Sequence, residues 1–237
     1  MRRPTSVRNP RRYFGDNHTG TVVIFRDSNT LVPFESMLER DWLIRTDTYD
    51  HDLRWIVAQP CVDAQCGGLP YRFDGRTRVW IPDFMRQRRG KDGQEDPRPV
   101  LVEVKPLSAV RPDDPEEAKR EWKRDYVVAK FDAIRSTALS RGYGFSLATE
   151  DEIRIQPSLR NADLLRRCAG KHFLARWEVE GRLAVLRLPR ESSIRELEQV
   201  LPDGIDAFAV ALRLAWLGEI ILAPLEIWTR ATRFARV

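Results

Sequence analysis

The chain has 237 residues, 42% of them hydrophobic and 32% charged, a composition typical of a folded protein with one large domain or two small ones. Its longest apolar runs, such as residues 220–225, are too short to cross a membrane, and the arginine-rich start lacks the apolar segment of a secretory signal. Three cysteines do not make a disulfide framework, so we expect a reduced, cytoplasmic protein.

The formal charge of +5 comes from 40 basic and 35 acidic residues, and the excess is concentrated at the N-terminus. Five arginines precede the first acid, Asp16; they are Arg2, Arg3, Arg8, Arg11 and Arg12. Two prolines interrupt this run, so residues 1–20 are predicted to form a flexible basic arm. Such an arm either follows a phosphate backbone or is a solvated tail.

Strand and helix patterns alternate along residues 21–155 and predict an α/β domain. The predicted strands are residues 22–25, 53–57, 71–73, 79–81, 100–104 and 143–148. The predicted helices are residues 34–46 and 114–141. The first helix has apolar residues at intervals of three and four, and Glu35 and Glu39 share a neighbouring stripe because they are four residues apart.

A boundary is predicted near residues 150–158, where an acidic stretch leads to a proline, so residues 156–237 form a smaller domain. Ser193 and Glu196 have the spacing of a capping box at a helix start. An apolar helix over residues 205–217 stops at Gly218. Residues 219–228 are expected to form a short hairpin. Helices followed by a hairpin predict a winged-helix-like domain.

The candidate chemistry lies at the ends of two predicted strands. Asp83 follows a strand and a proline, while Glu103 lies in an apolar strand with Lys105 two positions later. Strand periodicity places Glu103 and Lys105 on one face. Two carboxylates and the carbonyl of Val104 are the oxygen ligands that Mg²⁺ prefers, with Glu39 as a third carboxylate. Lys105 would orient the hydrolytic water and stabilise charge in the transition state.

Each of these signals alone has an ordinary structural interpretation. An aspartate after proline is typical of a turn, and a Glu-x-Lys on a strand is typical of an exposed ion pair of little energetic weight. Their joint order is more specific. A helix acid, a strand aspartate, a strand Glu-x-Lys, a long helix and a buried strand follow one another as in the restriction-endonuclease-like core called PD-(D/E)xK. We therefore predict a mixed sheet flanked by helices and a metal-dependent nuclease.

The motifs also resemble those of the TnsA-like endonucleases, which are subunits of heteromeric cut-and-paste bacterial transposases. The resemblance is carried by residues 36–40, Gln59-Pro60, residues 81–84 and residues 102–105. It covers residues 30–155, and more loosely the remainder. It implies a catalytic set, which in this chain is Glu39, Asp83, Glu103 and Lys105, with Glu35 as a competitor for the helix position.

The same resemblance implies the biological setting. TnsA-like subunits cut the 5′ strands at transposon ends with Mg²⁺, for which Mn²⁺ substitutes. A TnsB-like transposase cuts the 3′ strands, and a TnsC-like AAA+ ATPase contacts the pair. The implied partners are thus double-stranded DNA and these two proteins, in a bacterial cytoplasm and acting at the nucleoid.

Two other functions are consistent with the same residues. One is a free-standing nuclease of this fold that acts in restriction or repair. The other is a DNA-binding or assembly subunit without catalytic activity, against which the intact set of Asp83, Glu103 and Lys105 argues. In the C-terminal domain, the apolar helix over residues 205–217 is expected to be core, so contacts to DNA or ATPase are expected from Arg166, Arg167 and Arg230.

Overall fold

The computed structural model describes residues 3–7, 18–90, 97–110 and 121–237. The start of the predicted long helix and most of the basic arm therefore lie outside the described residues. The chain divides into two compact units, Met1–Ile153 and Arg154–Val237. The predicted boundary between residues 155 and 156 lies two residues after the point where these units meet in sequence.

The first unit is built on a four-stranded mixed sheet with two short two-stranded sheets beside it. Its strands are β1 (Gly20–Ile24), β2 (Thr30–Phe34), β3 (Leu53–Ala58), β4 (Leu69–Phe73), β5 (Arg76–Trp80), β6 (Phe84–Arg88), β7 (Val100–Val104) and β8 (Gly144–Ala148). Its helices are α1 (Met37–Tyr49), α2 (Leu107–Val110), α3 (Glu121–Ser140) and α4 (Glu150–Ile153), and a 3-10 turn covers Phe25–Asp27. β1 pairs with β2, and β4 pairs with β5.

The mixed sheet has the order β3-β6-β7-β8. β6 is antiparallel to β3 and β7, while β7 and β8 are parallel. Helices cover both faces, since Phe84 stacks on Trp42 of α1 with ring centroids 4.8 Å apart, whereas Met85 and Leu101 pack in one core cluster with Ile134 of α3. This arrangement fits the nuclease-like α/β core that the sequence predicts.

Helix α1 begins three residues later than the sequence pattern indicates. Ser36 is its N-cap and accepts a hydrogen bond from the backbone N–H of Glu39, which satisfies one of the open donors of the first turn. Phe34 belongs instead to β2, where it pairs with Gly20. The N-cap places Glu39 in the first turn of the helix.

Residues 3–7, which are the described part of the predicted arm, are not free. The guanidinium of Arg3 pairs with Asp27 at 3.0 Å and donates to the carbonyl of Ile56 at 2.8 Å. Val7 N donates to Gln59 O at 2.8 Å. The prediction of a flexible arm is therefore wrong for this segment, because a partly buried ion pair and backbone pairing hold it on the first unit. Residues 8–17 lie outside the described residues.

The second unit contains four helices and a three-stranded sheet. The helices are α5 (Ser158–Arg167), α6 (Ala175–Arg187), α7 (Ile194–Val200) and α8 (Ala207–Trp216), and the strands are β9 (Glu191–Ser193), β10 (Ile220–Leu222) and β11 (Arg233–Arg236). The capping box of Ser193 and Glu196 is confirmed at the start of α7. Val210 and Leu214 of α8 are buried, so the prediction that this helix is core is also confirmed.

The predicted hairpin over residues 219–228 is wrong. β10 pairs with β11, which in turn pairs with β9 in the order β10-β11-β9. Pro224 and Glu226 lie in the connection between the two strands, and their carbonyls accept hydrogen bonds from Asn161 Nδ2 at 2.9 and 2.7 Å. These hydrogen bonds hold the connection as a longer loop instead of a tight turn, so the return strand begins only at Arg233.

Candidate active site

Asp83 lies in the connection between β5, which ends at Trp80, and β6, which begins at Phe84. Its Oδ2 accepts a hydrogen bond from the backbone N–H of Val104 at 2.8 Å. The carbonyl of Asp83 accepts another from Gln59 N at 2.8 Å. These two bonds tie the aspartate to the end of β7 on one side and to the end of β3 on the other. Its position is therefore fixed by backbone groups from two neighbouring strands.

Glu103 lies within β7 and is only 6% exposed. The indole N–H of Trp80 donates to its Oε2 at 2.8 Å, which supplies a charge-assisted hydrogen bond to a buried carboxylate. No local motif signals this contact, because the two residues are 23 positions apart.

Lys105 brings the two acids together. Its Nζ lies 3.1 Å from Glu103 Oε1 and 3.3 Å from Asp83 Oδ2. The backbone N–H of Lys105 donates to Ala148 O at 3.0 Å, so the parallel strand β8 holds the peptide from which the side chain extends. Asp83, Glu103 and Lys105 thus meet at one end of the sheet.

The helix acids Glu39 and Glu35 lie near this group. The carboxylate of Glu39 accepts hydrogen bonds from Glu35 N at 2.8 Å and Ser36 Oγ at 3.1 Å. These bonds cap the N-terminus of α1, which is a structural role in its own right. The charges of both acids interact with Asp83, since Glu35 and Asp83 repel each other and so do Asp83 and Glu39.

Burial dominates the ionisation of the carboxylates. Burial raises the pKa of Asp83 above its usual range, against the attraction of Lys105. Burial and then repulsion by Asp83 raise the pKa of Glu103. Burial, with added repulsion by Asp83, raises the pKa of Glu39 to about 7. Three acids therefore share a poorly solvated region with one lysine.

Burial and the neighbouring carboxylates shift the pKa of Lys105 in opposite directions. Burial lowers its pKa, but the attraction of Glu103 and then of Asp83 outweighs that effect and raises the pKa above the ordinary value. The ammonium group therefore stays charged across the neutral range. One charged lysine therefore faces three acids whose ionisation is disfavoured by burial.

The donor set fits a hard divalent cation. The side-chain atoms available are carboxylate oxygens, which Mg²⁺ prefers, and an added cation would offset the repulsion between Asp83 and Glu103. In the described ranges, no three His, Cys, Asp or Glu side chains are grouped closely enough to hold a metal. The pair Asp83 and Glu103 is assembled, while Glu39 is directed to the start of its own helix.

Two further findings describe the chain as a whole. No helix among the described residues is long and apolar enough to span a membrane. The three cysteines are free thiols, and Cys168 is buried, which raises the pKa of its thiol.

A comparison with known protein families gives a match for the part of the chain that contains this site. The profile described as TnsA-like endonuclease N terminal matches residues 50–150. This range contains Asp83, Glu103 and Lys105 and begins after α1, so it does not include Glu39. No curated protein sequence matches the chain. A domain of this kind indicates a nuclease-type transposase subunit. The part of the chain that carries the paired carboxylates and the lysine is therefore similar to the N-terminal domain of TnsA-like endonucleases.

Proposed function

We propose that this protein is a Mg²⁺-dependent DNA endonuclease that cuts the 5′ strands at transposon ends. The observation that carries the proposal is the convergence of Asp83 and Glu103 on Lys105 Nζ, at 3.3 and 3.1 Å. A lysine held between two buried carboxylates suits phosphodiester hydrolysis, in which negative charge develops on the phosphate. The family match over residues 50–150 supports the DNA substrate and the transposition setting.

Asp83, Glu103 and the Val104 carbonyl would hold Mg²⁺, with Glu39 as a further carboxylate. Mn²⁺ would substitute for Mg²⁺. When bound, the metal would lower the pKa of a bound water and neutralise negative charge on the phosphate. Lys105 would orient the attacking water and stabilise the developing charge through its ammonium group. The N–H of Val104 keeps Asp83 at the strand end, and the indole of Trp80 fixes one oxygen of Glu103. Through these two bonds, Val104 and Trp80 would position the acids.

The proposed complex has three protein components. A TnsB-like transposase would cut the 3′ strands, and a TnsC-like AAA+ ATPase would contact the pair. In the second unit, the order α6-β9-α7-α8-β10-β11 supports a winged-helix-like domain. Arg167 and Arg230 are exposed there and, with the half-buried Arg166, are the proposed contacts to DNA or to the ATPase.

The experiment that tests the proposed function is strand-resolved cleavage of transposon-end DNA. Asp83→Ala and Glu103→Ala should each abolish Mg²⁺-dependent cutting of the 5′ strand in the presence of the partner proteins. Asp132→Ala is the control, because this exposed aspartate of α3 makes only a 3.8 Å contact with Arg135. Near-normal cutting of the 5′ strand by either active-site variant would refute the site. Loss of 3′-strand cutting in these variants while the 5′ strand is still cut would refute the proposed division of labour.

A further inference from the structure

The outer face of α6 is an apolar stripe in contact with solvent. Val179, Leu183 and Leu186 are 53%, 45% and 66% exposed. They follow one another at intervals of four and three residues, so they line one side of the helix. Solvent-facing helix positions are normally polar, and a contiguous apolar stripe of this kind marks an interaction surface.

The opposite side of α6 is packed too closely for the helix to turn this stripe inward. Gly181 lies against Val210 of α8, and a Cβ at this glycine would come within 2.3 Å of Val210 Cγ1. Ala184 and Val185 are buried on the same side. The inner side of α6 therefore packs in the core of the second unit, while the apolar stripe faces solvent.

A cavity of about 410 Å³ opens beside Leu186, at the C-terminal end of the stripe. Its apolar lining includes Val185, Leu186, Leu214 and Ile220. The volume is sufficient for a large apolar or aromatic side chain. Buried aromatic anchors that fill pockets of this kind contribute much of the binding energy at protein interfaces. The stripe and the cavity together form what we call the α6 groove.

Positive charge borders the α6 groove. Arg176 and Arg187 are exposed near the two ends of the stripe, and Arg182 and Arg236 line the cavity. The acids are fewer: Glu180 lies on α6 between the two exposed arginines, and Glu219 lines the cavity, where it pairs with Arg182. Pairing of this surface with a second copy in a two-fold arrangement would bring arginines toward arginines, which is unfavourable. An acidic partner would instead place carboxylates against both ends.

We propose that the α6 groove docks an acidic amphipathic helix of a partner protein, whose apolar side covers Val179, Leu183 and Leu186 while one large side chain enters the cavity. This is the helix-in-groove mode of recognition, with anchors at intervals of three and four residues. The groove contains none of Glu39, Asp83, Glu103 and Lys105, so this inference does not rest on the proposed cleavage reaction.

The test uses the full-length chain and two synthetic helical peptides that share leucines and one tryptophan at intervals of three and four residues. One peptide has glutamates at all remaining positions and the other has lysines. Binding is measured by fluorescence anisotropy. The acidic peptide should bind more tightly than the basic one, and Leu183→Glu should weaken its binding about tenfold or more. Leu139→Glu is the matched control, since Leu139 is 48% exposed on α3.

A second experiment reverses the charge beside the groove, in order to distinguish helix docking from non-specific adhesion. The double variant Arg176→Glu and Arg187→Glu should reverse the preference from the acidic peptide to the basic one. Equal binding of the two peptides to the unmodified chain, or unchanged binding to Leu183→Glu, would overturn the proposal. A dimer that Leu183→Glu disrupts would assign the groove to a second copy instead. Duplex DNA binding that depends on Leu183 would assign it to nucleic acid, and either result would also overturn the proposal.

Discussion

Replacing Trp80 by phenylalanine tests whether an indole positions the proposed catalytic carboxylate of Glu103. Trp80 Nε1 donates to Glu103 Oε2 at 2.8 Å, and Glu103 is only 6% exposed. A hydrogen bond to a charged group contributes about 1.5–3 kcal/mol, and a buried acceptor left without a partner loses at least that much. Trp80→Phe should therefore lower the free energy of unfolding by this amount, in addition to the loss from the smaller ring.

Trp55→Phe is the matched control for the smaller ring. Trp55 packs in the same core cluster as Trp80 and is 5% exposed, against 6% for Trp80. In urea denaturation of the metal-free protein, Trp80→Phe should be less stable than Trp55→Phe by about 1.5–3 kcal/mol. This difference isolates the hydrogen bond, because both variants make the same change of ring.

The catalytic readout is the Mg²⁺ concentration that gives half-maximal cleavage. Residues that orient metal ligands typically cost about 10- to 100-fold in metal affinity or activity when they are lost. Trp80→Phe should raise this concentration by a factor in that range, whereas Trp55→Phe should not change it. Equal metal requirements and equal stabilities for the two variants would show that the indole N–H does not position Glu103.

The remaining predictions concern Lys105 and the helix acids. Lys105→Ala should abolish cleavage while Mg²⁺ binding remains measurable by calorimetry, because the ammonium group orients the attacking water and stabilises the developing charge. Loss of metal binding equal to that of Asp83→Ala would contradict this role. Ca²⁺ should support DNA binding without cleavage, since its looser coordination positions water poorly; turnover with Ca²⁺ would argue against the proposed metal role. Glu39→Gln should reduce cleavage far more than Glu35→Gln, and the reverse ranking would move the helix carboxylate by one turn. In the metal-free protein, stability should fall as pH rises from 4.5 to about 7, because the unfolded chain ionises near 4.5 while Glu39 keeps its proton up to a pKa of about 7. This loss in the free energy of unfolding is at most about 3 kcal/mol, since each pKa unit is worth about 1.4 kcal/mol and solvent reduces the effect. If the stability of Glu39→Gln fell with pH as steeply as that of the unmodified chain, this prediction would be refuted.

Strands with simple apolar patterns were predictable from the sequence. β7 has the predicted bounds, Val100–Val104, because only Glu103 interrupts its apolar run. β6 was not predicted, since Arg86, Gln87 and Arg88 make most of it polar. Its polar residues are accommodated by tertiary contacts, as the guanidinium groups of Arg86 and Arg88 both bond to Asp50 Oδ2, at 3.0 and 2.7 Å. Such long-range partners leave no local signal.

The grouping of the candidate site residues was predictable because their types and order are distinctive. The structure brings Asp83, Glu103 and Lys105 together. The cap that Glu39 provides to α1 was not predicted, and Glu39 also experiences the charge of Asp83. The roles of Trp80 and Gln59 were not predictable, since each depends on a hydrogen bond across the fold.

Backbone hydrogen bonds connect residues 3–7 to Asp83 of the candidate site. Gln59 accepts a hydrogen bond from Val7 N through its carbonyl and donates one to the carbonyl of Asp83, each at 2.8 Å. One residue, Gln59, therefore links this segment to the backbone of Asp83. An affinity tag that displaces residues 3–7, or a protease that removes them, would take away a hydrogen bond from the residue that holds Asp83. A fusion joined after Val237 leaves these bonds in place.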